Sequence, residues 1–353
     1  MFIKKGENNM DLKFLSEIIS TASPVGYEDR LMKKIVEYTK HKAEDYLYDH
    51  YGSVTTVYNK DAKFKVMLAA HADEISLIVG GYNSDGSLVV KRNGGVRTKL
   101  YIGCKVRVIT KDGGTILGVA GTNSSLNKKE TVDQEDLFID IGASSKEEAQ
   151  KVVPLGSYVI HDTDMVELLD DKLAARAFDD RLGVFITQCA CLKAIEMGAK
   201  VGIYCTATTG EENTGRGAYA SSEMIKPDMA IIVDVTYSSD YKGADTEADV
   251  SLGKGGVICI GSIPNRKLND LLAQTAKDLN EPIQYEVWAG STATDGDVIF
   301  KKGTPEVLYS IPLRYMHSPV EIASKKDIES MINVLAQFLV NITEDIDLKP
   351  YKF

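Results

Sequence analysis

Four short apolar runs in this chain each lead into an acidic or imidazole-bearing tip, and that recurrence constrains the fold more than any other feature. Phe64–Ala70 runs into His71-Ala72-Asp73-Glu74-Ile75, and residues 200–208 run into Gly210-Glu211-Glu212. Met229–Val233 ends at Asp234, and Pro305–Ile311 is followed by Arg314-Tyr315-Met316-His317-Ser318. Phe64–Ala70 and Met229–Val233 read as buried strands, residues 200–208 as a strand and Pro305–Ile311 as strand-like, an α/β pattern in which helices cover the sheet. Helical spacing over residues 12–22, 26–42, 182–197 and 325–342 supplies the covering layers, and residues 46–59 read as a strand pair turning at Gly52. In open α/β sheets ligands gather at the carboxyl ends of the strands. The tips therefore converge, and a fifth acidic position, Asp179 in Ala177-Phe178-Asp179-Asp180-Arg181, precedes the helix at 182–197.

The pattern is interrupted once. From Ser76 the chain turns to short alternating runs punctuated by Asn83-Ser84-Asp85-Gly86, Asn93-Gly94-Gly95 and Lys111-Asp112-Gly113-Gly114, with one brief helix at 145–152. Short strands with Gly turns predict a small β-barrel or sandwich. We expect residues 76–166 to be a β domain inserted into an α/β domain formed by 1–75 and 167–353. His161, in His161-Asp162-Thr163-Asp164, falls in what reads as the return linker and is expected at the surface, as are His41 and His50 in their charged surroundings.

The remaining composition excludes more than it identifies. With 51 acidic residues against 41 Lys and Arg, the net charge of −10 argues against a nucleic-acid footprint or an anionic membrane surface. No apolar run is long enough to span a bilayer, and Met1–Asp11 carries no apolar core of a leader, so a cytoplasmic location is the default expectation. Five scattered cysteines predict reduced thiols, with Cys189 and Cys191 packed in a helix.

The convergent tips carry the chemistry. Neutral imidazole binds Zn or Co, and a ligating His usually passes its second N–H to a carboxylate, which suits His71 and Asp73. Two imidazoles and three carboxylates, one of them bridging, would serve two divalent ions about 3.5–4 Å apart. Such ions can activate a hydroxide and polarise a carbonyl, but a base must still move the proton. Adjacent Glu211 and Glu212 suit a division between base and ligand, which residue type alone does not assign.

Taken together, His71-Ala72-Asp73-Glu74-Ile75, Ala177-Phe178-Asp179-Asp180-Arg181, Glu211-Glu212 with Gly-Arg-Gly-Ala at 215–218, Val233-Asp234-Val235-Thr236 and Arg314-Tyr315-Met316-His317-Ser318 resemble the tetrahedral (TET) aminopeptidases. Leu252-Gly253-Lys254-Gly255 and a Thr-Asp loop at 290–296 add to the likeness, which covers nearly the whole chain. The resemblance implies a mixed-sheet α/β metallo-aminopeptidase catalytic domain, of the phosphorylase/hydrolase-like type, with an inserted small β-barrel that serves dimerisation. It further implies two divalent ions, Zn or Co, one held by His71, Asp179 and Asp234, the other by Asp179, Glu212 and His317. Glu211 would be the general base, Asp73 the partner of His71, and Asp180 a neighbour of the bridge in an unusual backbone conformation. Short peptides would be the substrates and a homododecamer built from dimers the assembly. An acidic first residue would want Lys91, Arg92 or Arg314 near the site. Two other readings remain: a glycoside hydrolase of the endoglucanase type, which needs opposed acids, and a non-catalytic peptide-binding scaffold.

Overall fold

The computed structural model describes residues 10–244 and 248–351, so the leader expectation over the first nine residues lies outside the described residues. The amino-terminal segment forms α1 (Leu12–Ser20) and α2 (Asp29–Thr39), then the antiparallel pair β1 (Asp45–Tyr48) and β2 (Val54–Tyr58), then β3 (Lys65–His71). Next come β4 (Ser76–Tyr82), β5 (Leu88–Asn93), β6 (Lys105–Ile109), β7 (Thr115–Ala120), β8 (Phe138–Asp140), α3 (Lys146–Val152) and β9 (Tyr158–His161). After β10 (Val166–Leu168) and β11 (Lys172–Ala175) the chain runs through α4 (Phe178–Glu196), β12 (Gly202–Thr208), α5 (Arg216–Ile225) and β13 (Met229–Tyr237). It finishes with β14 (Val257–Gly261), α6 (Arg266–Leu279), β15 (Gln284–Trp288), α7 (Gly296–Ile299), β16 (Glu306–Leu313), β17 (Glu321–Ser324) and α8 (Lys325–Asn341).

Eight strands form one mixed sheet in the order β1-β2-β12-β3-β13-β16-β14-β15. Its centre, β12-β3-β13-β16, is parallel, as the unbroken apolar runs require, and antiparallel pairings flank it. Alternation along β3 shows why that strand has no polar position between Lys65 and His71: Val66, Leu68 and Ala70 join the core under α1, α4 and α8, while Met67 and Ala69 join the core under α5 and α7. Burial on both faces makes α4 apolar nearly all round, since it lies between the sheet and α8.

The predicted β segment is a closed barrel, β4-β5-β8-β7-β6-β9, with its own core that includes Leu77, Val90, Val106 and Ile139. The brief helix is α3, capped by the Ser145 side chain on the Glu148 N–H. Closure is what a small antiparallel sheet needs to remove its edges. Two details differ from expectation. Val166 opens β10, which pairs with β11, itself paired with β17, in a separate three-stranded sheet and not with the barrel. His161 is not a surface residue: it ends β9 paired across from Val106, is 9% exposed, and stacks on Tyr101 at 3.8 Å between ring centroids. The polar Asp162-Thr163-Asp164 that follows reads as linker, yet Asp162 and Asp164 both pair with Arg107 of β6. His41 and His50 are exposed, and all five cysteines are free thiols.

Candidate metal centre

His71 ends β3, and Glu211 and Glu212 follow the carboxyl end of β12 across the same pairing, where Thr208 lies opposite His71. Asp234 does not end its strand as the sequence suggests; β13 continues to Tyr237 and Asp234 lies opposite Ser310 of β16. His317 follows β16, and Asp179 enters from β11 at the start of α4. These elements bring their side chains to one wall of a cavity of about 390 Å³.

Asp179 stands at the middle. Its Oδ1 lies 3.0 Å from His71 Nε2 and its Oδ2 lies 3.2 Å from His317 Nε2. Glu212 Oε1 is 3.3 Å from His317 Nε2, while Asp234 Oδ1 and Glu211 Oε2 lie 3.9 and 3.8 Å from His71 Nε2. Donor atoms of His71, Asp179 and Glu212 fall within 4.8 Å of one another, as do those of His71, Asp180 and Asp234. Asp180 has other work, however: its oxygens accept the backbone N–H groups of His71, at 3.2 Å, and Gly183, at 3.0 Å. The Asp179–Asp180 peptide is cis.

Asp73 sits differently from the expectation that its carboxylate orients His71. The acceptor nearest His71 Nδ1 is the Asp73 carbonyl at 3.1 Å, with the carboxylate at 3.9 Å. In the tautomer that donates from Nδ1 to this carbonyl, Nε2 presents its lone pair to the acids. The Asp73 carboxylate instead accepts the backbone N–H groups of Glu211 and Glu212, at 3.1 and 3.2 Å, and so fixes the loop that carries both.

The electrostatics fit divalent cations. Burial raises the Glu211 carboxyl well above the ordinary range, and the charges of Asp234, Asp295 and Glu212 add to the effect against the pull of His71. Burial and the neighbouring Asp180 charge do the same to Asp234. Burial alone pushes the His71 imidazole down, yet the Asp179 hydrogen bond and the charges of Glu211, Asp73 and Asp234 outweigh it and hold it well above its usual value. So many oxygens converging on two imidazoles in a poorly solvated wall call for positive charge, and His nitrogen with carboxylate oxygen is a donor set that first-row divalent ions accept.

Several supports were not evident from sequence. Glu74 is buried between Arg176 and Arg181, which pair with its two oxygens; burial raises its carboxyl and the two guanidiniums more than offset this. Arg181, fully buried, also donates to the carbonyls of Ile18 and Ile19, at 3.0 and 2.8 Å, tying α1 to the floor of the site. Glu321 accepts the N–H groups of Asp179 and His317, the latter at a positive φ of 61° that needs such anchoring. Gly95, beyond the end of β5, leaves room for the His317 ring: a Cβ there would stand 2.7 Å from its Cε1.

The basic residues suggested for an acidic pocket are elsewhere. Lys91 and Arg92 are exposed, and Arg314 is engaged with Asp240, its Nη2 at 2.7 Å and its Nε at 2.9 Å from the two carboxylate oxygens. The Gly253 and Gly255 N–H groups both bond Asp327 at 2.7 Å, so the Leu252–Gly255 segment braces α8. Thr292, Ala293 and Thr294 of the Thr-Asp loop do line the cavity.

Residues 52–334 match the family model for M42 glutamyl aminopeptidase. A lysyl aminopeptidase of Pyrococcus furiosus is 32% identical, over 97% of this chain and 100% of its own length. Among solved structures, the TET aminopeptidase of a marine sediment Thaumarchaeota archaeon superposes with a TM-score of 0.89 at 28% identity, covering 95% of this chain and 97% of that one. The TET1 peptidase of Pyrococcus horikoshii, which can assemble into a tetrahedron or a large octahedral shell, gives a TM-score of 0.84 at 28% identity over 94% and 99% of the two chains.

Proposed function

We propose that this chain, which belongs to the M42 glutamyl aminopeptidase family and is thus a peptide hydrolase, removes N-terminal residues from short peptides with two divalent cations, Zn or Co, as cofactors. His71, Asp179 and Asp234 would hold one cation, and Asp179, Glu212 and His317 the other. The observation that carries the reading is Asp179 itself, whose two oxygens face imidazoles on opposite sides. When bound, the cations supply Lewis acidity for the attacking water and the scissile carbonyl.

The chain supplies the rest. Glu211 stands at the same cavity wall and is not needed as a ligand. Its carboxylate, in the same cavity as the proposed ligands, is placed to take a proton from the attacking water and return it to the leaving amine. Asp73 holds Glu211 and Glu212 in different orientations through their backbones, so one loop serves both proton transfer and ligation. The cavity beyond the cluster receives the first side chain of the peptide. A glycosidase reading would need two acids flanking an open sugar site, about 5–9.5 Å apart. Here the acids crowd around the imidazoles.

We further assign residues 76–166 to dimerisation, supported by the apolar Leu117 and Val119 exposed on β7, and we read the dimers as units of a homododecamer in the cytoplasm. The deciding experiment strips the purified protein with a chelator, restores Zn or Co, and assays aminoacyl p-nitroanilides beside carboxymethylcellulose. Metal-restored cleavage of the anilides alone is expected. Cleavage of the polysaccharide alone would reject the peptidase reading, and turnover of neither would favour a binding scaffold.

A further inference from the structure

We propose that the far side of the cavity selects a cationic first residue, lysine or arginine, and that Glu286 is the group that selects it. This rests on the aminopeptidase reading and names its substrate class.

Glu286 lies on the edge strand β15, yet its side chain turns inward: it is 4% exposed and lines the same cavity as Glu211 and Asp234. Its Oε2 accepts from Thr236 Oγ1 and from Trp288 Nε1, the latter at 3.0 Å. Among the described residues, its Oε1 accepts only from the Ser310 hydroxyl, at 3.4 Å. The carboxylate is thus held by three neutral donors, with lone pairs left on Oε1. Among the described residues, no lysine or arginine lines the cavity. A desolvated carboxylate without a cation is costly, and a ligand that brings one relieves the cost.

The spacing suits one long side chain. Thr236, which anchors Glu286, lies two residues beyond Asp234 on the same face of β13, about 7 Å at ordinary strand rise. A lysine at the first position would reach across that gap with its four-carbon stem. Its methylenes would lie along Leu308, Met316 and Trp288, which line the same cavity. The indole face adds attraction for the ammonium or guanidinium. An acidic first residue would instead meet a like charge.

Trp288 is the only tryptophan in the chain, so its fluorescence reports on this pocket directly. The metal-loaded protein is titrated with the products L-lysine and L-norleucine, whose stems match but for the ammonium, and lysyl, arginyl, leucyl and glutamyl p-nitroanilides are assayed alongside. Lysine should bind at least about tenfold more tightly than norleucine, the scale of one charge-assisted hydrogen bond. The glutamyl substrate should be the poorest. In Glu286→Gln the lysyl-to-leucyl ratio of kcat/KM should fall about tenfold, mainly through KM. Equal or tighter binding of norleucine by the wild type, or an unchanged ratio in a folded Glu286→Gln, would overturn the proposal. If the variant does not fold, the wild-type lysine and norleucine comparison decides alone. Absence of all turnover with lysine still preferred would support the pocket and reject the peptidase reading.

Discussion

The Glu321 carboxylate accepts the backbone N–H of Asp179 at 3.2 Å, reaching it from the first residue of β17. Its other oxygen accepts the His317 N–H at 2.8 Å. One buried acid therefore fixes two candidate ligands without touching their side chains. Glu321→Gln retains a single acceptor oxygen and leaves one N–H unmatched. Zn affinity is expected to fall about 10–100-fold, as for other groups that orient ligands. Calorimetric titration of the stripped protein checks this, and an unchanged affinity removes the positioning role.

Cations that bind only the folded state must stabilise it. With free Zn at about a thousand times the dissociation constant, the gain is roughly 4 kcal/mol. Melting curves with chelator and with Zn should therefore separate clearly. Superimposable curves would mean that the cluster holds no ion.

Glu211→Gln removes the proposed base and leaves the proposed ligands in place. The rate kcat should drop about 10²–10⁴-fold, while elemental analysis still finds two ions per chain. Full activity in this variant would move the base elsewhere.

Gly95→Ala would place a methyl group 2.7 Å from the His317 ring, inside the range that real contacts avoid. The ring must shift, so kcat/KM is expected to fall at least about tenfold, a scale that sub-ångström misplacement readily reaches. The circular dichroism spectrum should be unaltered. Wild-type activity would show that the imidazole has slack.

His161 gives the fold an acid-sensitive element. Burial, and then the nearby Arg176 charge, push its imidazole down to about 4. The folded protein thus binds this proton less readily than the unfolded chain does. Its contribution is fully present above about pH 6.5 and is lost as pH falls toward 4, up to roughly 3 kcal/mol. His161→Phe keeps an aromatic ring against Tyr101 and removes the titration. The variant should lose less melting temperature than the wild type between pH 6.5 and 4.5, and parallel losses would contradict the assignment.

What the chain discloses before folding follows from local periodicity. His71, Asp234 and the Glu211-Glu212 pair are legible because each is attached to a run of apolar residues that can only be a buried strand, and sheet geometry gathers such positions. Glu321 and Glu286 were not. Gln-Tyr-Glu-Val-Trp at 284–288 alternates like an exposed edge, and Tyr285 and Val287 are indeed outward. That the intervening acid meets Thr236 depends on how β13, β16, β14 and β15 are laid side by side, which no local pattern states. His161 was misjudged for the same reason: its burial comes from pairing with β6 and from Tyr101, far back in the chain.

The placement of β3 also bears on how the molecule is made. Among the described residues its strand partners are β12 and β13, both encoded after the whole barrel. A nascent chain therefore emerges with this central, apolar strand complete and its edges unsatisfied, while the barrel strands already have every neighbour they need. Domains tend to fold as units during synthesis, and unpaired strand edges invite association with other chains. The barrel is thus free to mature early, whereas the segment ending in His71 must be shielded until translation passes residue 232.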